Sequence, residues 1–399
     1  MRGPRCPRLI QVLNGERESP LQAAQRIAPQ AAELAVQIER ERALPPELLE
    51  ELRDSGMFSL CLPKALGGGE VEPAEMVLAL EALARGDGAS AWCAMIASTC
   101  GLLGAYLPRE QAELIFDRGC SVLGGVFAPR GRAERTEDGF LVSGRWSFVS
   151  GVGHSDWVLG GCLIASGEGV ETLPGGGPDV RLMLMPKADV EVIDTWSVTG
   201  LCGTGSHDIA VERRLVPATR SVSLFTDRPH IDGALYAFPL FGLLALGICA
   251  VALGIARGAI DDLVELAAGK RPAPGARSLA ERSTIQAEVA RAEGALRAAR
   301  ALVLEEARNA WEPALAGGEL SDQHRLGLRL AATHATRVSA DVTGSMYQAG
   351  GGSSIYDSSP LQRRFRDANV ATQHMMVAPS TWELTGRLLL GLPTDTSQL

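Results

Sequence analysis

The hydrophobic pattern of this chain changes its period twice, and that change constrains the fold more than any other feature. From about residue 20 to 118 apolar residues recur at helical spacing, from about 119 to 228 they alternate as in strands, and from about 235 to 393 the helical spacing returns. We therefore predict an α+β chain with an N-terminal helical domain, a central small antiparallel β-domain and a C-terminal four-helix bundle.

The alternating middle part predicts six strands, at 121–127, 140–149, 157–164, 181–185, 190–193 and 209–211. Asp138-Gly139 is a good hairpin turn between the first two of them. The four helices of the bundle are predicted near 240–268, 281–312, 320–348 and 360–391.

The bundle begins with an uncharged run of 22 residues, Leu235–Ala256, which is long enough to cross a membrane. Three glycines at 242, 247 and 254 give it a small surface, and Pro239 would break its first third. We interpret the run as a helix buried on all sides, with a membrane span as the alternative.

Composition excludes several classes of protein. The net charge of −9 over 399 residues argues against a nucleic-acid binder, which usually has a basic face. The eight cysteines form no C-x-x-C pair and lie in apolar neighbourhoods, which favours reduced, buried thiols in a cytoplasmic protein and does not support a zinc or other metal site. Residues 1–19 contain no long apolar segment, so a secretory signal is not predicted.

Four short motifs follow one another at consistent spacing. They are Leu62-Pro63 before Gly67-Gly68, Gly144-Arg145-Trp146 through Ser150-Gly151, the glycine-rich segment 200–206, and Arg366-Asp367-Ala368. Together with the order of the three parts, they resemble the acyl-CoA dehydrogenase superfamily over nearly the whole chain, from about 20 to 392.

The catalytic base of that family is missing at both of its usual places. A dehydrogenase must remove a proton beside a thioester, and relatives use a glutamate about eight residues after the Arg-Asp-Ala segment. Here no carboxylate lies between Asp367 and Glu383, which we interpret as helix-surface or salt-bridge residues. Some relatives place the base on the first bundle helix instead, but that region is the uncharged run. The sequence therefore disfavours α,β-dehydrogenation.

His374 stands in the place of the missing base. A sister group with the same fold, the two-component (group D) flavin-dependent monooxygenases, resembles this chain better, because it carries Arg-Asp-x-x-x-x-x-Gln-His, matching 366–374, and Ser-Gly-x-x-His-x-x-Trp, matching 150–157. The resemblance implies an oxygenase component that uses reduced FMN or FAD and molecular oxygen, through a flavin C4a-hydroperoxide, to oxidise a small aromatic or polycyclic substrate. It also implies a homotetramer and, since no nicotinamide-binding pattern is present, a separate NAD(P)H-dependent flavin reductase.

Two residues are the catalytic candidates. His374 at the family's base position could act as an acid or base near pH 7, or it could be a satisfied core or interface histidine on a bundle helix. Ser150 could donate its hydroxyl proton toward the flavin, or it could be an ordinary turn serine before Gly151.

The resemblance also implies a set of cofactor-binding residues, each with a structural alternative. Phe127 and Trp146 would lie against the flavin ring, or belong to the core of the β-domain. Thr204 and Ser206 would meet a phosphate or ring edge, or form a common glycine-rich turn. Arg277 would contact the cofactor, or be a solvated surface arginine.

A cofactor contact from a neighbouring subunit is also implied. Gln348, Gly351 and Gly352 match a segment that touches the flavin's tail in relatives. The alternative is a flexible loop between helices.

The substrate pocket is predicted to be small and apolar. Its floor should include Trp92, Met95, Ile96 and Thr99. His154 could hold the substrate, although a role in supporting the β-domain is favoured. Several phenol-hydroxylating relatives have a histidine where Cys100 stands, which argues against phenol recognition of that kind.

Three competing hypotheses remain open at this point. The chain could be an acyl-CoA dehydrogenase or oxidase with an unrecognised base. It could be a non-catalytic scaffold with this fold that binds a ligand. The uncharged run could also make it a membrane protein.

Overall fold

The computed structural model of the chain describes residues 12–13, 16–167, 169–270, 277–397 and 399. A two-residue pair of strands, β1 (Val12–Leu13) and β2 (Glu16–Arg17), precedes the first helices. Ser19 begins α1 through a capping box, in which its hydroxyl accepts from the Gln22 N–H and the Gln22 side chain accepts from the Ser19 N–H. The N-terminal helices are α1 (Pro20–Glu41), α2 (Pro46–Asp54), α3 (Pro73–Gly86), α4 (Gly88–Gly101) and α5 (Arg109–Phe116).

Helix α4 is the element of this part that positions the site. Asp87 caps it, with Oδ2 accepting from both the backbone N–H and the hydroxyl of Ser90 at 2.7 Å. Nearly every residue of α4 is buried, because its small side chains pack between α3, α7 and the sheet. Its amino-terminal half carries Trp92 into the contact region between the helices and the sheet.

The middle of the chain folds into one twisted sheet. Its strands are β3 (Leu123–Thr136), β4 (Gly139–Trp146), β5 (Trp157–Ser166), β6 (Gly169–Val170), β7 (Val180–Pro186), β8 (Glu191–Ile193), β9 (Asp208–Pro217) and β10 (Ser221–Val222). They lie in the order β10-β7-β5-β3-β4-β9-β8, and β6 pairs with β5.

The predicted antiparallel β-domain is confirmed as a mostly antiparallel sheet, with one parallel pair. Strand β5 runs parallel to β3, while the other pairs in the sheet are antiparallel. The chain leaves the β3–β4 hairpin through residues 147–156 and returns on the far side of β3, so β5 enters in the same direction as β3. That crossover carries Ser150 and His154.

The C-terminal helices pack around one long, apolar helix. They are α6 (Ala234–Ala237), α7 (Leu240–Gly269), α8 (Ser283–Leu315), α9 (Asp322–Gly350), α10 (Pro360–Ala371) and α11 (Ser380–Leu389). Pro239 separates α6 from α7, as the sequence predicted. Within the described residues, two helical segments, Gly88–Ala105 and Leu240–Gly269, are long and apolar enough to cross a membrane, and their most apolar 18-residue windows are 94% and 78% buried inside the protein. Most of the residues of α7 are buried, as expected for a core helix.

The predicted last helix, 360–391, is two helices. The first ends at Ala371 and the second begins at Ser380, directly after Pro379, which cannot donate a backbone hydrogen bond. His374 therefore lies in the turn between α10 and α11, and not on a helix.

Seven cysteines within the described residues are free thiols, namely Cys61, Cys93, Cys100, Cys120, Cys162, Cys202 and Cys249. Six are buried, and Cys202 is partly exposed. Cys6 lies outside the described residues. Across the part of the chain that the structure describes, no group of three or more His, Cys, Asp or Glu side chains could hold a metal ion.

Candidate active site

Trp92 connects the sheet to the turn after α10. Its indole is 7% exposed, and its Nε1 donates to the Ser150 hydroxyl at 3.1 Å. Its ring meets the His374 imidazole edge-on, with centroids 5.8 Å apart and planes at 66°. The two catalytic candidates of the sequence therefore contact the same indole from two different elements.

Ser150 belongs to a buried chain of hydroxyl groups. Its Oγ lies 2.8 Å from Ser206 Oγ, which lies 2.7 Å from Thr204 Oγ1. Thr204 Oγ1 donates to the Leu201 carbonyl oxygen at 2.8 Å. Thr204 and Ser206 are 2% and 3% exposed, so both hydroxyls are buried. Through them the Ser150 hydroxyl is linked to the Leu201 carbonyl.

The His374 imidazole is neutral at physiological pH. Burial, followed by the positive charge of Arg329, lowers the pKa of His374 to about 4. The Met376 N–H donates to His374 Nδ1 at 3.3 Å, which assigns the proton of the neutral ring to Nε2. His374 thus presents an N–H donor at Nε2.

Trp146 does not lie where a flavin ring could contact it. Trp146 is 0% exposed, donates from Nε1 to the Gly161 carbonyl at 2.7 Å, and packs over Gly131, Gly144 and Gly160. An indole with no free face cannot stack on a ligand, so Trp146 is a core residue.

Phe148 is the residue that the sequence reasoning missed. Its side chain is 71% exposed two residues before Ser150, its backbone has φ +69°, and its ring meets Trp196 edge-on at 6.1 Å. A bulky residue at positive φ is strained, and such strain clusters at ligand sites. Strand alternation alone would have put 146 and 148 on one face, but β4 ends at Trp146 and the backbone then turns.

Asp367, interpreted from the sequence as a helix-surface or salt-bridge residue, does not lie on the surface. Asp367 is 6% exposed, and its Oδ1 accepts from the Leu201 N–H at 2.6 Å. Burial raises the pKa of this carboxyl to about 7. Glu383 is exposed in the first turn of α11, as expected.

The other predicted pocket residues of α4 mostly face the helical core. A side-chain carbon at Gly247 of α7 would lie 2.7 Å from Met95 Cγ and 3.9 Å from Thr99 Cγ2, so both side chains pack against α7. The Thr99 hydroxyl donates to the Met95 carbonyl within α4. Ile96 is partly buried, and Cys100 is 1% exposed. A role in the pocket floor stays a prediction for Met95, Ile96 and Thr99.

His154 supports the join between the sheet and the N-terminal helices. Its ring stacks on Phe58 with centroids 5.5 Å apart and planes at 28°. Burial, aided by the positive charges of Arg53 and Lys187, lowers the pKa of His154 to about 3. Its Nε2 is buried without a hydrogen-bond partner among the described residues. These contacts favour the supporting role over substrate binding.

The residues predicted to reach the cofactor's tail lie on the surface. Arg277 and Gln348 are exposed, and Gly351 and Gly352 are exposed at the end of α9, where Gly351 has φ +57°. Phe127 is half-buried at the bulged part of β3. They stay candidates for cofactor contact.

The exposed ring of Phe148 and the hydroxyl of Ser150 fit a flat cofactor with an apolar face and a polar edge, which is the character of an isoalloxazine. Phe148 would hold the face, and Ser150, which keeps one lone pair beyond the bonds described above, would meet a ring nitrogen.

Comparisons with known proteins identify the family of the chain. Residues 21–115 match the acyl-CoA dehydrogenase N-terminal domain, and residues 246–379 match the acyl-CoA dehydrogenase C-terminal domain. An indole-3-acetate monooxygenase of Pseudomonas putida is 34% identical over 357 residues, covering 89% of each chain. The oxygenase component of an FADH2-dependent resorcinol hydroxylase from a Rhizobium species is 29% identical, again over 89% of each chain.

Solved structures extend the likeness to the fold. XiaF from a Streptomyces species, in complex with FADH2 and glycerol, superimposes with a TM-score of 0.85 at 26% identity, covering 95% of this chain and 97% of that one. The chain therefore belongs to the acyl-CoA dehydrogenase superfamily, in the branch formed by the oxygenase components of two-component flavin-dependent monooxygenases.

Proposed function

We propose that this chain is the oxygenase component that oxidises a small organic compound, with an aromatic or polycyclic ring as the substrate class. Reduced FMN or FAD, when bound, supplies two electrons to molecular oxygen, so that one oxygen atom enters the substrate and the other leaves as water. The aromatic substrates named for the relatives, indole-3-acetate and resorcinol, support this class.

The observation that carries the proposal is the neutral imidazole of His374 against Trp92. The Nε2–H group can donate a hydrogen bond to an oxygen atom in the site or to a substrate heteroatom, and a ring with a pKa of about 4 keeps that donor neutral at pH 7. Burial around Trp92 and Ser150 helps to exclude water, which such oxygen chemistry requires.

Among the described residues, neither of the two carboxylates nearest to His374 in sequence is placed to act as the base of a dehydrogenase. Asp367 is turned to the Leu201 N–H, and Glu383 lies on the exposed face of α11. Arg329 is the charged neighbour that acts on His374, and its charge is positive. These positions favour oxygen transfer over proton abstraction from a thioester.

The partners follow from the same chemistry. A separate NAD(P)H-dependent flavin reductase would supply the reduced cofactor by diffusion in the cytoplasm. A homotetramer would bring Gln348, Gly351 and Gly352, which are exposed at the end of α9, to the flavin of a neighbouring subunit. We also propose that the chain is divided into three domains, with boundaries near residues 119 and 235.

The test compares two assays of the purified chain. Aerobic incubation with reduced FMN or FAD and a panel of indoles, phenols and polycyclic aromatics should give an oxidised product. Anaerobic mixing of the chain and oxidised FAD with acyl-CoA thioesters should leave the flavin absorbance unchanged. Bleaching of the flavin by a thioester would overturn the proposal.

A further inference from the structure

The hydroxyl chain beneath Trp92 has a fixed direction. Each hydroxyl group has one proton to donate, and the Leu201 carbonyl can only accept, so Thr204 donates its proton there. Ser206 must then donate to Thr204, and Ser150 must donate to Ser206, across the two oxygen–oxygen distances of 2.7 and 2.8 Å. The protons therefore all point from Ser150 toward Leu201.

This direction leaves Ser150 as an acceptor toward any further partner. Its own proton is held by Ser206, and Trp92 Nε1 donates to one of its two lone pairs. Only the second lone pair remains. A ligand atom that bonds to Ser150 Oγ must therefore bring a proton.

The Leu201 carbonyl, which sets the direction of the hydroxyl chain, is fixed by several contacts. The Leu201 N–H donates to Asp367 Oδ1, and the Leu201 carbonyl also accepts from Trp196 Nε1 at 3.3 Å. A side-chain carbon at Gly200 would lie 2.6 Å from the Arg366 backbone, so this segment packs directly on α10. The Leu201 carbonyl therefore has little freedom to turn away from Thr204.

We propose that Thr204 and Ser206 are positioning residues that fix Ser150 as a hydrogen-bond acceptor, so that the site prefers reduced flavin to oxidised flavin. N5 of the isoalloxazine ring carries a proton when the ring is reduced and only a lone pair when it is oxidised. This inference rests on the proposed function, in which Ser150 meets the flavin, and it reverses the donor role predicted for Ser150 from the sequence.

The experiment measures two dissociation constants for the full chain under anaerobic conditions, one for oxidised FMN and one for dithionite-reduced FMN, with FAD in parallel. The native chain should bind the reduced form more tightly. Thr204→Val removes the hydroxyl but keeps the side-chain shape, so the ratio of the two constants should fall by about threefold to tenfold, the value of one hydrogen bond. Thr204→Ser keeps the hydroxyl and should keep the native ratio.

A second variant keeps the inference testable if Thr204→Val fails to fold. Ser206→Ala removes the acceptor of the Ser150 proton and should lower the same ratio, and melting temperatures identify variants that fail to fold. A native ratio in a folded Thr204→Val or Ser206→Ala chain would overturn the inference, as would an equal weakening of both constants. Failure of the native chain to bind flavin in either redox state would contradict the proposed function as well.

Discussion

The imidazole of His374 meets the indole of Trp92 edge-on at 5.8 Å, and the same indole donates to Ser150. Three separate elements, the turn after α10, helix α4 and the β4–β5 crossover, therefore join at one buried ring. Because α4 is almost entirely buried, Trp92 holds the other two residues at a fixed separation.

The His374 side chain should couple oxygen consumption to product formation. His374→Ala removes the Nε2 donor, so product formation should fall by about 10²- to 10⁴-fold while hydrogen peroxide release continues. The ratio of product to peroxide in an aerobic assay with reduced flavin measures this effect. His230→Gln, at an exposed histidine, is the matched control. Unchanged coupling in His374→Ala would remove the assigned role.

The exposed ring of Phe148 should contribute to flavin binding. Phe148→Ala should weaken flavin affinity by roughly threefold to tenfold through the loss of ring contact, and should change the melting temperature little because the side chain is 71% exposed. Phe225→Ala removes another exposed ring, 51% accessible, and serves as the control. Equal affinities of the two variants would show that Phe148 does not touch the cofactor.

Acid should destabilise the fold through two histidines. The unfolded chain binds a proton at each below about pH 6.5, whereas the pKa values in the fold are about 4 for His374 and about 3 for His154. The free energy of unfolding should therefore fall as the pH drops from about 6.5 toward 4. His374→Gln and His154→Gln should each flatten this fall in melting temperature. If both variants keep the native dependence of melting temperature on pH, the assignment of neutral imidazole rings is contradicted.

The buried carboxyl of Asp367 should have the opposite pH dependence. Burial and the negative charge of Asp87 oppose its ionisation, while the Leu201 N–H and the charges of Arg363 and Arg366 favour it, and the resulting pKa is about 7. Since the unfolded carboxyl ionises near pH 3.9, this group lowers the free energy of unfolding as the pH rises through 7.

Asp367→Asn keeps an acceptor for the Leu201 N–H and removes the ionisation, so relative to the native chain it should be more stable at pH 8 than at pH 5. Asp367→Ala loses the acceptor for the Leu201 N–H and should be destabilised at both pH values. Melting temperatures at the two pH values decide this. A greater loss in Asp367→Asn at pH 8 would indicate a carboxylate paired with arginine.

The order of the elements was predictable because hydrophobic period reports secondary structure directly. The chain forms helices, then strands, then helices, which is the order predicted for residues 20–118, 119–228 and 235–393. Helix α7 begins directly after Pro239, as that proline indicated. Pro379 lies directly before α11 and marks its start in the same way.

The details of the site depended on contacts between distant residues. Period-two alternation could not separate Trp146 from Phe148, because the distinction lies in a single backbone turn at φ +69°. The burial of Asp367 comes from its contact with Leu201, which lies 166 residues away in sequence. The direction of the hydroxyl chain likewise requires three-dimensional distances.

The central claim is that this site transfers oxygen with reduced flavin. The most direct measurement uses the native chain, reduced flavin and ¹⁸O₂ with indole-3-acetate and related aromatics, followed by mass spectrometry of the product and an anaerobic thioester control. One ¹⁸O atom in the product and no reaction with the thioester are the predicted results. Unlabelled aromatics together with a thioester that reduces the bound flavin would contradict the claim.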